Sequence, residues 1–234
     1  DEKFRIKNRI NRIKEGEVTM GEDKMNNIKL LKIYSWSLVA LVLALAVGVW
    51  MGERLGSRIT LYSFFPVLGL SAFSLMWTHF ITGSLRRKLA VEPRENKTYL
   101  KVTSKMVLAL ILLHPGLLIY QLHSDGFGLP PKSYLQVYGE PVMKFAIMLG
   151  TISLLIFLAF EFRKKFHKKP WWKFVNWAQV LAMFLILYHG FTLGKELSVG
   201  WYRVVWLFFA ISLLAAVLYN YWYDKRSRIK KEMV

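Results

Sequence analysis

The sequence predicts an all-α integral membrane protein, a six-transmembrane-helix bundle with both termini cytoplasmic. Three observations lead there. At 54% hydrophobic residues and a mean hydropathy of +0.30, the 234-residue chain is more apolar than one soluble core requires. The excess falls in six windows, near 34–50, 60–82, 103–122, 142–161, 174–193 and 202–221, each close to the roughly 20 helical residues that cross a hydrocarbon layer of roughly 30 Å. The 33 Lys and Arg complete the pattern: residues 1–33 hold 9, the 83–101 loop 6, the 162–173 loop 6 and the 222–234 tail 5, whereas the alternate loops 51–59, 122–142 and 194–203 hold 2, 1 and 2. Basic loops mark the cytoplasmic side, and an even number of spans requires the termini to share a side.

A net charge of +18 would suggest a nucleic-acid partner in a soluble protein. Its confinement to alternate loops instead suggests topology and contact with anionic lipid, with docking of an acidic protein as the other reading, so no nucleic-acid partner is expected. The chain has no cysteine, which excludes disulfides and thiolate ligands and leaves histidine or oxygen for any metal. The basic head is long and polar and no small-residue cleavage site follows the first apolar run, so no cleavable signal peptide is expected. The organisation read here is a basic cytoplasmic arm over 1–33, a transmembrane domain over 34–221 and a basic cytoplasmic tail over 222–234, located in the cell inner or plasma membrane. Phe4, Ile6, Ile10 and Ile13 are spaced for a short helix on the membrane surface.

Span one, Tyr34 to Trp50, has aromatic ends and an otherwise featureless apolar run. Span two carries Pro66, Gly69, Ser71 and Ser74, small residues that permit close helix approach, and ends with His79 on the cytoplasmic side. His79 reads either as an interfacial, hydrogen-bonded histidine or as a neighbour of a second redox group or quinone head. Span three climbs outward to His114, directly followed by Pro115 and Gly116. Proline disfavours helical backbone in the residue before it and frees a carbonyl four residues back, so a bend at the histidine is expected. Gly116 would then leave a bare surface beside the ring, although a histidine that merely caps the freed carbonyl is the plainer reading. His123 reads as interfacial and His167 as solvated. Span four brings Lys144, then Gly150, Thr151 and Ser153. Span five also climbs outward, with His189 in its outer half followed by Gly190.

Ionisable residues inside hydrocarbon by default mark functional sites. Spans three and five point the same way, so His114 and His189 can reach similar depth and bind opposite faces of one haem iron, each through one ring nitrogen. An HxxxH pair on a single helix would instead suggest a bare metal ion, and the chain has none.

With these residues the chain resembles the ferric reductase-like transmembrane domain, the six-helix haem unit shared by NADPH oxidases, STEAP metalloreductases and the haem membrane subunit of the bacterial periplasmic methionine sulfoxide reductase system. The resemblance covers spans two to six, about 60–221, and its best stretches are SKMVLALILLH (Ser104 to His114), Gly150 to Trp172, and Asn176 to Gly190 ending in LYHG. It implies that His114 and His189 are the axial ligands of an outer haem b. Two-haem relatives carry a further histidine about thirteen residues before each of these. Here Asn176 holds one such place and Lys101 or Leu100, with Ser104 nearby, the other, so one haem b is expected, with two as the wider alternative. No flavin or nicotinamide domain follows residue 221 and no GxGxxG appears, so electrons are expected from outside the chain.

The resulting expectation is transmembrane electron transfer through a single bis-histidine haem in the outer half of the bilayer, making the chain the haem-bearing subunit of an oxidoreductase. The donor would be a quinol or a partner flavoprotein, with FAD, FMN or quinone held near His79, Ser104 and Asn176, and the acceptor external. Tyr188, Tyr120 and Trp177 could fill the path, and Arg54, Arg58, Arg203 or Lys132 could meet the haem propionates. The alternative from another class is a non-redox transporter or scaffold subunit whose histidines hydrogen-bond or relay protons; a degenerate relative kept as an assembly partner is a third. Against transport, spans two to six lack intramembrane acids apart from Glu161 at the inner end of span four, and no inverted repeat is visible.

Overall fold

The computed structural model describes the backbone of residues 2–198 and 200–232, and the side chains of 22–163, 165–198, 200–227 and 229. Among the described residues there are eight α-helices and no strand: α1 (Glu2–Gly52), α2 (Phe65–Lys88), α3 (Lys97–Ser124), α4 (Lys132–Val137), α5 (Pro141–Glu161), α6 (Arg163–Phe166), α7 (Trp172–Leu193) and α8 (Gly200–Glu232). Six helical segments are long and apolar enough to cross a membrane: Glu22–Gly52, Leu61–Lys88, Pro93–Ser124, Pro141–Glu161, Trp172–Leu193 and Gly200–Ser227. The first is longer than its hydropathy window because α1 runs unbroken from the polar head into the apolar run. The stripe of Phe4, Ile6, Ile10 and Ile13 lies outside the residues whose side chains are described.

Local chemistry sets the helix ends. Pro66 and Pro141 occupy first-turn positions of α2 and α5, where a missing N–H removes no helical bond and the fixed φ suits the helix. Arg86, Arg87 and Lys88 close α2, opposite the negative end of its dipole. Beyond them the Val91 N–H donates to the Arg86 carbonyl and the Ala90 N–H to that of Arg87, the paired bonds of a Schellman stop. Ala90 takes the left-handed position at φ 52°, where glycine is usual, and buried Val91 anchors the turn.

Two sets of contacts identify the two ends of the bundle. At the end bearing the chain termini, Asn27 Nδ2 donates to the Leu89 carbonyl (3.4 Å), Lys24 pairs with Glu92 (3.5 Å) and Arg87 with Asp224 (3.4 Å). At the other, called distal here, the Trp50 indole donates to the Ser63 carbonyl (2.6 Å) and Arg54 reaches across to Glu196 (2.8 Å).

α2 is the hub, packed against α1, α3 and α8, while α5 lies along α7 and this second pair meets the first group only sparsely. The core follows α2: Phe73 stacks on Trp206 at 4.5 Å, Trp77 packs at a tilt against Phe209 at 4.4 Å, and the Trp77 indole donates to Ser212 Oγ (3.0 Å). Pro115 sits inside α3 without interrupting it, so the bend expected at His114 does not break the helix.

The Glu196 side chain is 2% exposed and Arg54 is its ion-pair partner. Removing one member of such a pair strands a buried charge at a cost of roughly 3–5 kcal/mol, whereas removing both is close to neutral. Unfolding in detergent should therefore show Arg54→Met strongly destabilised and Arg54→Met/Glu196→Leu largely restored.

Candidate functional site

A cavity of about 360 Å³ separates the α2–α3 pair from the α5–α7 pair, within the range of roughly 300–1,000 Å³ usual for ligand sites. Gly69, Phe73, Ile111, His114 and Leu118 line one side, and Gly150, Leu154, Phe157, Ile186 and His189 the other. Trp206 of α8 also lines it, as do Met76 at its terminal end and Arg54, Tyr62, Tyr134, Tyr138 and Glu196 at its distal end. The structure thus brings His114 and His189 to one cavity.

Both histidines are held by the same device. The Nδ1–H of His114 donates to the Phe65 carbonyl (2.8 Å), and that of His189 to the Ala146 carbonyl (2.9 Å). A carbonyl only accepts, so Nδ1 carries the proton in each ring, and in the neutral imidazole Nε2 is left with a bare lone pair. No described residue bonds either Nε2. Four residues beyond each accepting carbonyl, on the same helix, is a glycine. A Cβ at Gly69 would stand 2.7 Å from Cε1 of His114, and one at Gly150 2.6 Å from Nδ1 of His189. Only a residue without a side chain lets each ring lie against the neighbouring backbone. Phe65 stacks on His114 with centroids 4.1 Å apart.

The two imidazoles thus approach one cavity from opposite helix pairs. Among the described residues no group of three or more His, Asp or Glu side chains could hold a metal ion.

The distal end is polar but not anionic throughout. Burial raises the Tyr134 phenol, and burial together with the nearby Tyr62 and Tyr134 pushes Tyr138 up to about 12, so both remain neutral donors at physiological pH. Arg54 is the one proposed propionate partner that lines the cavity; Arg58, Arg203 and Lys132 are exposed and outside its lining.

Other expected positions fall elsewhere. Gly116 is exposed on the outward face of α3, and a methyl group added there would have nothing within 4 Å, so the bare surface expected at Gly116 is supplied by Gly69 and Gly150. Gly190 lines the cavity, but its missing side chain makes room for Trp206, whose ring would lie 2.6 Å from a Cβ. His79, Ser104 and Asn176 do not assemble, because Ser104 and Asn176 face outward; His79 bonds Thr103 instead, at 2.6 Å. Tyr120, Tyr188 and Trp177 are exposed as well, and aromatic packing inside the bundle runs through Phe73, Trp206, Phe209 and Trp77. Sequence reasoning missed Glu196 and the three tyrosines, which reach the cavity only through loop packing.

Gly69→Ala and Gly150→Ala should each break a ring-to-carbonyl bond, costing about 1–3 kcal/mol and lowering the unfolding midpoint in detergent, while Gly116→Ala, with open space around the added methyl, should not lower it. Comparison with protein-family models, with curated proteins and with solved structures gave no match.

Proposed function

We propose that the chain is the haem-bearing membrane subunit of an electron-transfer system, holding a single haem b between His114 and His189 and delivering electrons to an acceptor at the distal, external face. The carrying observation is that both rings commit Nδ1 to a backbone carbonyl, leaving two bare Nε2 atoms at one cavity. Imidazole ligands are oriented and made more basic by this kind of outer hydrogen bond. The resemblance of spans two to six to ferric reductase-like domains supports the same reading.

Bound there, haem would supply a one-electron iron couple. His114 and His189 would hold it through Nε2, with the Phe65 and Ala146 carbonyls fixing the ring orientations. Gly69 and Gly150 keep the rings recessed, and the apolar walls exclude water. At the distal end Arg54, which spends one nitrogen on Glu196, has further N–H groups for carboxylates, and Tyr62, Tyr134 and Tyr138 add neutral donors. The donor would be a quinol or a partner flavoprotein at the terminal side, placed in the cytoplasm by the basic ends of the chain.

Purified protein should contain one haem per chain with a Soret band and a sharp reduced α band, and His114→Ala and His189→Ala should each abolish or shift them; unchanged spectra in both variants, or a folded colourless protein, would overturn the assignment. Orientation is separately testable because the chain has no cysteine. Lys132→Cys should react with an impermeant maleimide added to intact cells and Lys88→Cys should not.

A further inference from the structure

The cavity between the two helix pairs has one closed edge and one open edge. α2, α7 and α8 pack on one another along one side of it, and there Trp206 fills the place that Gly190 leaves bare. On the other side α3 packs on α1 and α2, and α5 packs on α7, but no helix among those described lies along both α3 and α5. The two hairpins therefore enclose a slot that is shut where α2, α7 and α8 meet and open between α3 and α5.

The exposure of the lining locates the openings. Of the residues that line the cavity, two are exposed: Lys195 at the distal end and Thr151 on α5. Thr151 is ten residues from Pro141 and ten from Glu161, the two ends of α5, so it sits near mid-depth of a span. Its neighbour Gly150 is the glycine against which the His189 ring rests. The Thr151 hydroxyl donates to the Ile147 carbonyl of its own helix (3.0 Å), which satisfies the group in hydrocarbon and leaves the opening without a free polar atom from this residue. Ile111 and Pro115 line the slot from α3, and the adjoining Leu112 and Ile152 are exposed where acyl chains would lie.

The two openings suit different traffic. The distal one is spanned by the Arg54–Glu196 pair (2.8 Å) and flanked by Tyr62, Tyr134 and Tyr138, so a broad planar group arriving there would have to part a buried ion pair. The edge between α3 and α5 presents no such barrier. A porphyrin in a bilayer keeps its ring among the acyl chains and its carboxylates near the headgroups, because charge is costly at the centre of the hydrocarbon. Sideways passage between α3 and α5 preserves both depths, bringing the carboxylates to the level of Arg54 and the ring to the level of His114 and His189.

We infer that the α3–α5 edge, with Thr151 at its middle, is a lateral portal through which haem is loaded from the bilayer. The portal rests on the haem reading above and adds the route to it.

Two measurements in lipid nanodiscs test the portal. In the first, the haem-loaded protein releases haem to excess apomyoglobin, and the emptied protein takes haemin back from the bilayer. Thr151→Trp should slow release and uptake by the same factor, roughly tenfold, as an added barrier of about 1.4 kcal/mol would, since a plug in a shared route leaves the ratio of the two rates alone. Lys195→Trp should slow neither. The second needs no haem: a bimane attached to Thr151→Cys, the one thiol in a chain without cysteine, should be quenched by lipids bearing a doxyl group midway along the acyl chain, and a bimane on Lys195→Cys by aqueous iodide instead. Slowing by Lys195→Trp and not by Thr151→Trp, weakened binding without equal slowing, or no doxyl quenching at position 151 would overturn the portal. A protein that never binds haem would overturn the reading on which it rests, and the quenching would still decide whether the cavity opens to lipid.

Discussion

A ring N–H given to the backbone carbonyl of a neighbouring helix is the constraint from which the rest of the centre follows. Within a helix a carbonyl is already engaged by the N–H four residues on, so it accepts a second bond only where another group can come close. Phe65 and Ala146 are approachable because the residue one turn further on has no side chain. The bond then dictates the tautomer, and the tautomer dictates which nitrogen meets the cavity. Glycine, carbonyl and histidine form one unit spread over two helices, and none of the three has its role without the other two.

The helix arrangement follows the same logic. α2 collects α1, α3 and α8 around Phe73, Trp77 and Trp206, while α5 and α7 pair closely and touch the rest sparsely. Where two subassemblies meet weakly, a cavity can persist that close packing would otherwise eliminate. The Arg54–Glu196 pair at the distal end ties the α1–α2 connection to the α7–α8 connection, fastening the subassemblies at their rim while leaving the interior open.

The six spans and the approach of His114 and His189 to similar depth were legible in the sequence, because hydropathy and charge report depth along the membrane normal. Direction around each helix axis was not. Asn176 and Ser104 lie at informative depths yet face outward, and Gly116, adjacent in sequence to the site, faces away from it. Gly69 and Gly150 could be read as small residues permitting close approach, but not as seats for particular rings, since that needs the register between α2 and α3 and between α5 and α7.

The unit of carbonyl, glycine four residues later and facing histidine occurs twice, once on α2–α3 and once on α5–α7. In both hairpins the first helix starts at the distal end and the second returns to it, so the two hairpins run in the same sense along the bundle. A group seated between them would meet two imidazoles with the same kind of hydrogen bond behind each. Any polarity in how such a group works must then come from what lies along the axis. There the two ends differ sharply: a guanidinium, a carboxylate and three phenols at one, and Met76 with a wall of aromatic and aliphatic side chains at the other.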